Sequence, residues 1–212
     1  IDLPDREGRI KLLKIICKKN AMIQISDSML ESLGERSIGM SPALIEGALN
    51  AAIREAIRTE TTVTDQIIDE AFEKFNNGEE KQWDESELLK TARHEAGHAF
   101  VCWYFGKTPS YLTIVARDNH GGYMQNSADE KKGTYTKKEL LDRIAVALGG
   151  RAAEIVYYGE EDGLTTGASG DLQTASAIAE NMICSYGMYG NLYSGALTKS
   201  SAVANDIYAS VN

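Results

Sequence analysis

The stretch Thr91-Ala92-Arg93-His94-Glu95-Ala96-Gly97-His98-Ala99 decides how this sequence is read, because it places two imidazoles and a carboxylate within five residues of a helix-forming segment. An α-helix turns about 100° and rises about 1.5 Å per residue, so side chains four apart differ by roughly 40° around the axis and 6 Å along it. His94 and His98 are thus spaced to grip one ion. Glu95 lies beside them, placed to take a proton from a metal-activated water rather than to ligate the metal. With only three histidines in 212 residues, composition alone does not account for two of them flanking a glutamate in this pattern. The bland alternative is a pair of satisfied histidines on a helix face. The flanking residues support a helix: Asp84 and Ser86 offer N-caps, Leu88, Leu89, Ala92, Ala96, Ala99, Phe100 and Trp103 recur at near-helical spacing, and Gly106 supplies a stop.

Upstream, residues 1–77 read as four helices joined by short polar turns. Pro4-Asp5 opens a helix with Ile10, Leu13, Ile16 and Cys17 on one side, and Ser26-Asp27 caps a short second one containing Met29, Leu30 and Leu33. Ser41-Pro42 starts a third through Leu44, Ile45, Leu49, Ile53 and Ile57. Thr64-Asp65 starts a fourth through Ile67, Ile68, Phe72 and Phe75, which Asn76-Asn77-Gly78 ends. The polar run Gly78-Glu79-Glu80-Lys81-Gln82 then reads as a linker, which places a domain boundary between 77 and 78.

Downstream, Tyr111–Val115 and Gly122–Gln125 flank the turn-prone Asp118-Asn119-His120-Gly121 and predict a β-hairpin. Leu140, Leu141, Ile144, Ala145 and Leu148 mark a helix running into Gly149-Gly150-Arg151-Ala152-Ala153-Glu154. A loop is expected over Tyr158–Ser169, a long helix over about Gly170–Tyr186, and the start of another over Ser201–Val211. The expected fold is mainly α, a small four-helix domain followed by a largely helical domain with a small β-hairpin.

A catalytic zinc holds three protein ligands and keeps its fourth position for water, so one ligand must come from outside the His94–His98 helix. His120 is the remaining histidine, but a hairpin turn is more often the place of an exposed polar residue. The acidic run Glu160-Glu161-Asp162 reads as a solvated loop. Asp171 follows Thr165-Thr166-Gly167-Ala168-Ser169-Gly170, a run of small residues that lets backbone pack closely and delivers the aspartate at a helix start. There it could equally serve the helix dipole. On chemistry alone Asp171 and Glu154 stand level as third ligand.

Composition closes off other classes. A 43% hydrophobic content is ordinary for a globular chain, and a net charge of −9 spread over both halves leaves no basic patch for nucleic acid. Three widely spaced cysteines, Cys17, Cys102 and Cys184, argue for a reducing compartment and against a disulfide framework. Cys102 lies about 12 Å along the helix from His94 and takes no metal role. Neither a signal peptide nor an apolar run of membrane length is present. The opening at Ile1-Asp2-Leu3-Pro4, without methionine, reads as part of a longer protein with a shortened C-terminus.

Several stretches resemble, in order, the FtsH-type ATP-dependent zinc metalloproteases. They are Leu3-Pro4-Asp5-Arg6 with Leu12-Leu13-Lys14, Gly39-Met40-Ser41, the 91–99 segment, Gly149–Glu154, and Thr166-Gly167-Ala168-Ser169-Gly170-Asp171-Leu172. The resemblance implies that residues 1–77 are the helical lid of an AAA+ ATPase and residues 78–212 an M41-type peptidase domain. It implies one Zn2+ per subunit held by His94, His98 and Asp171, with Glu95 as general base for attack of the zinc-bound water on a peptide carbonyl, and it leaves Glu154 as a supporting carboxylate. It further implies a homo-hexamer acting on unfolded polypeptides or membrane proteins, cytosolic in this part and anchored in a membrane only through segments outside this chain. No Gly-x-x-x-x-Gly-Lys-Ser/Thr loop occurs, so ATP and Mg2+ would bind upstream of it. The competing reading is a non-catalytic pseudo-peptidase that serves as an oligomerisation module.

Overall fold

The computed structural model describes residues 2–126 and 132–190. Among these the chain forms seven α-helices, a 3₁₀ turn and a two-stranded antiparallel sheet, a mainly α fold. The expected helix over Ser201–Val211 lies outside the described residues. Two compact units are distinguished, Ile1–Gly133 and Thr134–Asn212. The 77/78 boundary read from composition falls inside the first.

In the first unit, α1 (Arg6–Lys19), α2 (Asp27–Arg36), α3 (Pro42–Arg58) and α4 (Asp65–Asn77) begin where the capping residues place them. Asp5 accepts from the Gly8 N–H at 2.8 Å, Ser26 from Met29 at 3.1 Å and Ser41 from Leu44 at 3.3 Å, each satisfying a donor that the helix itself leaves open. At the far end Gly78 takes φ 87°, the left-handed region that ends α4 at no steric cost. Small residues at Ala48, Ala52 and Ala56 form one stripe of α3, which lets α4 approach and bring Ile68 and Phe72 into a core with Leu13, Leu33, Ile45 and Leu49. A short parallel bridge, Gln24 N–H to Val63 O and Val63 N–H to Met22 O at 2.8 Å each, joins the turn after α1 to the one before α4.

The linker is not left loose. Lys81 N–H donates to Ala116 O at 2.8 Å, Glu79 N–H to the Asp118 carboxylate at 3.0 Å, and Arg117 Nη1 to Gly78 O at 3.1 Å. It leads into α5 (Glu85–Tyr104), capped by Asp84 and followed by Gly106 at φ 73°. The hairpin pairs β1 (Pro109–Thr113) with β2 (Tyr123–Asn126) in the register Tyr111↔Gln125, Leu112↔Met124 and Thr113↔Tyr123. Its strands stop short of Ile114 and Val115, because Ala116 and Arg117 pair instead with the linker and with His120.

In the second unit, α6 (Lys137–Gly163) starts at a capping box in which Thr136 and Glu139 satisfy each other's backbone N–H. It corrects the expected loop over Tyr158–Ser169: the helix breaks at Gly159 (φ 79°, ψ 174°) and resumes through the acidic Glu160–Asp162. A 3₁₀ turn (Thr166–Ala168) leads directly into α7 (Ser169–Cys184), which packs on α6. No described helix is long and apolar enough to cross a membrane.

Candidate metal centre and catalytic carboxylate

The helix α5 brings His94, Glu95 and His98 together. The Nε2 atoms of His94 and His98 are 3.1 Å apart, with ring centroids separated by 4.8 Å and planes at 76°. Two imidazole nitrogens at about 2.1 Å from a tetrahedral Zn2+ would lie roughly 3.4 Å apart, so the pair is already close to ligand spacing. His98 is buried, His94 half-buried, and Glu95 is buried at 6% exposure, which shields its carboxylate from bulk water.

The hairpin packs along α5 and brings backbone close to the stem of Glu95. A Cβ placed on Gly122 would come within 3.3 Å of Glu95 Cγ, 2.6 Å of Thr91 Cγ2 and 2.8 Å of Thr113 O. A Cβ on Gly121 would meet the Trp83 ring at 2.4 Å. The glycine pair is thus what lets the chain lie between the Trp83 indole and the stem of Glu95. Sequence reasoning placed Gly121 in the turn and Gly122 at the start of the second strand, which begins one residue later at Tyr123; the doublet itself was the available signal.

His120 differs from the expected exposed turn residue. It is half-buried against Tyr123, with ring centroids 4.7 Å apart, and both ring nitrogens are shut off from solvent without a hydrogen-bond partner. Burial lowers its pKa, Arg117 and Lys81 lower it further, and Glu73 opposes them. Cys102 is buried beside Asn126 Oδ1 at 3.1 Å, and burial raises its pKa, as befits a small apolar side chain.

In the second unit Asp171 stands in the first turn of α7, a helix whose N-cap Ala168 has no side-chain hydrogen bond. Glu154, at 6% exposure, accepts from Thr165 Oγ1 at 3.1 Å and pairs with Arg151 at 3.1 Å. Arg151 also donates to Gly163 O and Thr165 O. Glu154 therefore serves to shape the turn ahead of Asp171.

Residues 81–210 match the family model of peptidase family M41. The chain belongs to peptidase family M41. Its FtsH-type character extends upstream of that match: over 97% of this chain it is 34% identical to the ATP-dependent zinc metalloprotease FtsH 3 of Sphaerobacter thermophilus, covering 42% of that protein. Over 89% of the chain it is 36% identical to the ATP-dependent zinc metalloprotease FtsH 1 of Methylacidiphilum infernorum, covering 30% of it. The FtsH protease of Mesomycoplasma conjunctivae is 37% identical over the same share of the chain, which covers 25% of that relative. The chain thus spans between a quarter and about two fifths of the length of these M41 relatives.

Proposed function

We propose that this chain is the zinc endopeptidase portion of an ATP-dependent protease that degrades unfolded or membrane proteins. Residues 1–77 are read as the lid of its AAA+ module and residues 78–212 as the peptidase domain. The observation that carries the proposal is the pair of imidazole nitrogens 3.1 Å apart on α5, with the buried Glu95 between them in sequence. His94, His98 and Asp171 are assigned as the zinc ligands. Asp171 is assigned from the Thr166–Leu172 stretch shared with the FtsH-type proteases, and two nitrogens with one carboxylate leave an open fourth position.

Bound there, Zn2+ would supply acidification of a water and polarisation of the scissile carbonyl. Glu95 takes the proton from the attacking water and returns it to the departing amine nitrogen as the peptide C–N bond breaks. The hairpin offers backbone donors and acceptors along which an extended substrate can lie as an added strand, a mode that reads backbone more than side chains and suits varied unfolded substrates. Assembly as a homo-hexamer, a cytosolic location and membrane anchoring through segments outside this chain complete the proposal.

The test is hydrolysis of a short unstructured peptide by the zinc-loaded chain and by Glu95→Gln. We expect Glu95→Gln to bind zinc as tightly as wild type and to lose hydrolysis by at least about a hundredfold. Equal rates in the two proteins would overturn the role of Glu95. Zinc binding with no hydrolysis by wild type would favour the pseudo-peptidase reading instead.

A further inference from the structure

A polar cluster inside the first unit ties the hairpin to α2 and α4, and it ends one residue from the backbone that lies on Glu95. Tyr123, the first residue of β2, donates its hydroxyl to Glu73 Oε1 at 2.9 Å. Glu73 is 4% exposed on α4 and is fixed in turn by Arg36 Nη2 at 2.5 Å and Asn77 Nδ2 at 3.0 Å. Arg36 also binds Asp69 at 2.5 Å, and its guanidinium lies 3.9 Å from the centroid of Tyr111, the β1 residue whose ring packs 5.5 Å from that of Tyr123. Gln125, two residues further along β2, donates to Glu35 O at 3.2 Å. Burial and the Glu73 charge push the Tyr123 phenol well above its ordinary pKa, so it remains a donor throughout the working pH range.

We infer that Tyr123, anchored on Glu73, is a positioning residue for Glu95: it fixes where the Gly122 backbone lies and, through that backbone, where the Glu95 carboxylate is held. The geometry leaves little slack. The Gly122 backbone is within a Cβ's reach of Glu95 Cγ, Thr91 Cγ2 and Thr113 O at once, so a shift of β2 is transmitted to the glutamate stem. A general base works only within hydrogen-bond reach of its proton, and displacement by about 1 Å can cost up to about a hundredfold in rate. The inference rests on the proposed role of Glu95.

Tyr123→Phe removes the anchor with little else. The ring stays against Tyr111 and His120, and Glu73 keeps Arg36 and Asn77 as donors, so no buried carboxylate is stranded. Peptide hydrolysis, Zn2+ affinity by titration and thermal unfolding would be measured for the zinc-loaded wild type, Tyr123→Phe and Glu95→Gln. The expected result is a kcat about tenfold lower in Tyr123→Phe, with KM within twofold of wild type and Zn2+ affinity and Tm nearly unchanged. A kcat equal to wild type overturns the inference. So does a loss of activity that tracks a loss of folded protein or of bound Zn2+, since that would make Tyr123 a stability residue only. Gly122→Ala gives a second measure: a folded variant with wild-type kcat also overturns it. Should Glu95→Gln hydrolyse peptide as fast as wild type, the proposed base itself fails, an outcome distinct from a silent Tyr123→Phe.

Discussion

At the scale of single residues, the closeness of the His94 and His98 rings was legible because helical spacing is a strict geometric rule. The environment of His120 was not, since its burial depends on a fold-back onto Tyr123 that no local pattern encodes. This has a thermodynamic consequence. Burial depresses the pKa of His120 in the folded chain, so the unfolded chain takes up a proton at higher pH than the folded one. The stability associated with neutral His120 is therefore fully present above the unfolded pKa, about 6.5, and is lost as pH falls toward the folded value. The charged groups around it, Glu73 on one side and Arg117 and Lys81 on the other, are part of that balance. We expect Tm to fall between pH 7.5 and pH 5, and His120→Phe, which preserves the ring against Tyr123 but cannot titrate, to lose measurably less over the same interval. Parallel losses in the two proteins would show that other groups carry the acid sensitivity.

At the scale of elements, the five helix starts from α1 to α5 were readable because each uses a side-chain oxygen to satisfy a backbone N–H, a local device written in adjacent residues. The end of α6 was misread for an equally local reason. Gly159 and three acidic residues look like a loop, yet the glycine only kinks the chain, and the helix resumes beyond it. Its φ of 79° with ψ of 174° belongs to a region that only glycine enters cheaply, while a Cβ there would meet nothing within 4 Å. Backbone strain is thus the whole effect of Gly159→Ala, and it should destabilise the protein by about 2 kcal/mol in urea unfolding. A cost below about 0.5 kcal/mol would mean that the kink relaxes when the side chain is added.

At the scale of the molecule, composition drew a line at the polar linker, whereas the contacts group residues on both sides of it into one compact unit. The reason it escaped sequence reading is physical: the tie is made by Arg36, Glu73 and Arg117, charged residues that pattern analysis assigns to the surface, and each is buried by a partner far away in sequence. If that unit is cooperative, damage to the four-helix core must reach the hairpin and α5. The two tryptophans of the chain, Trp83 against Gly121 and Trp103 on α5, both lie in this unit and report on the part of it that matches the M41 family. Leu33, fully buried in the helical core on α2, is the place to apply the damage. Leu33→Ala should cost about 3 kcal/mol and lower the urea midpoint of tryptophan fluorescence by roughly 1.5 M, together with that of the helical circular dichroism signal. A fluorescence midpoint left at the wild-type value while part of the helical signal melts early would instead make the first four helices an independent folding unit, with the linker and hairpin contacts too weak to couple them to α5.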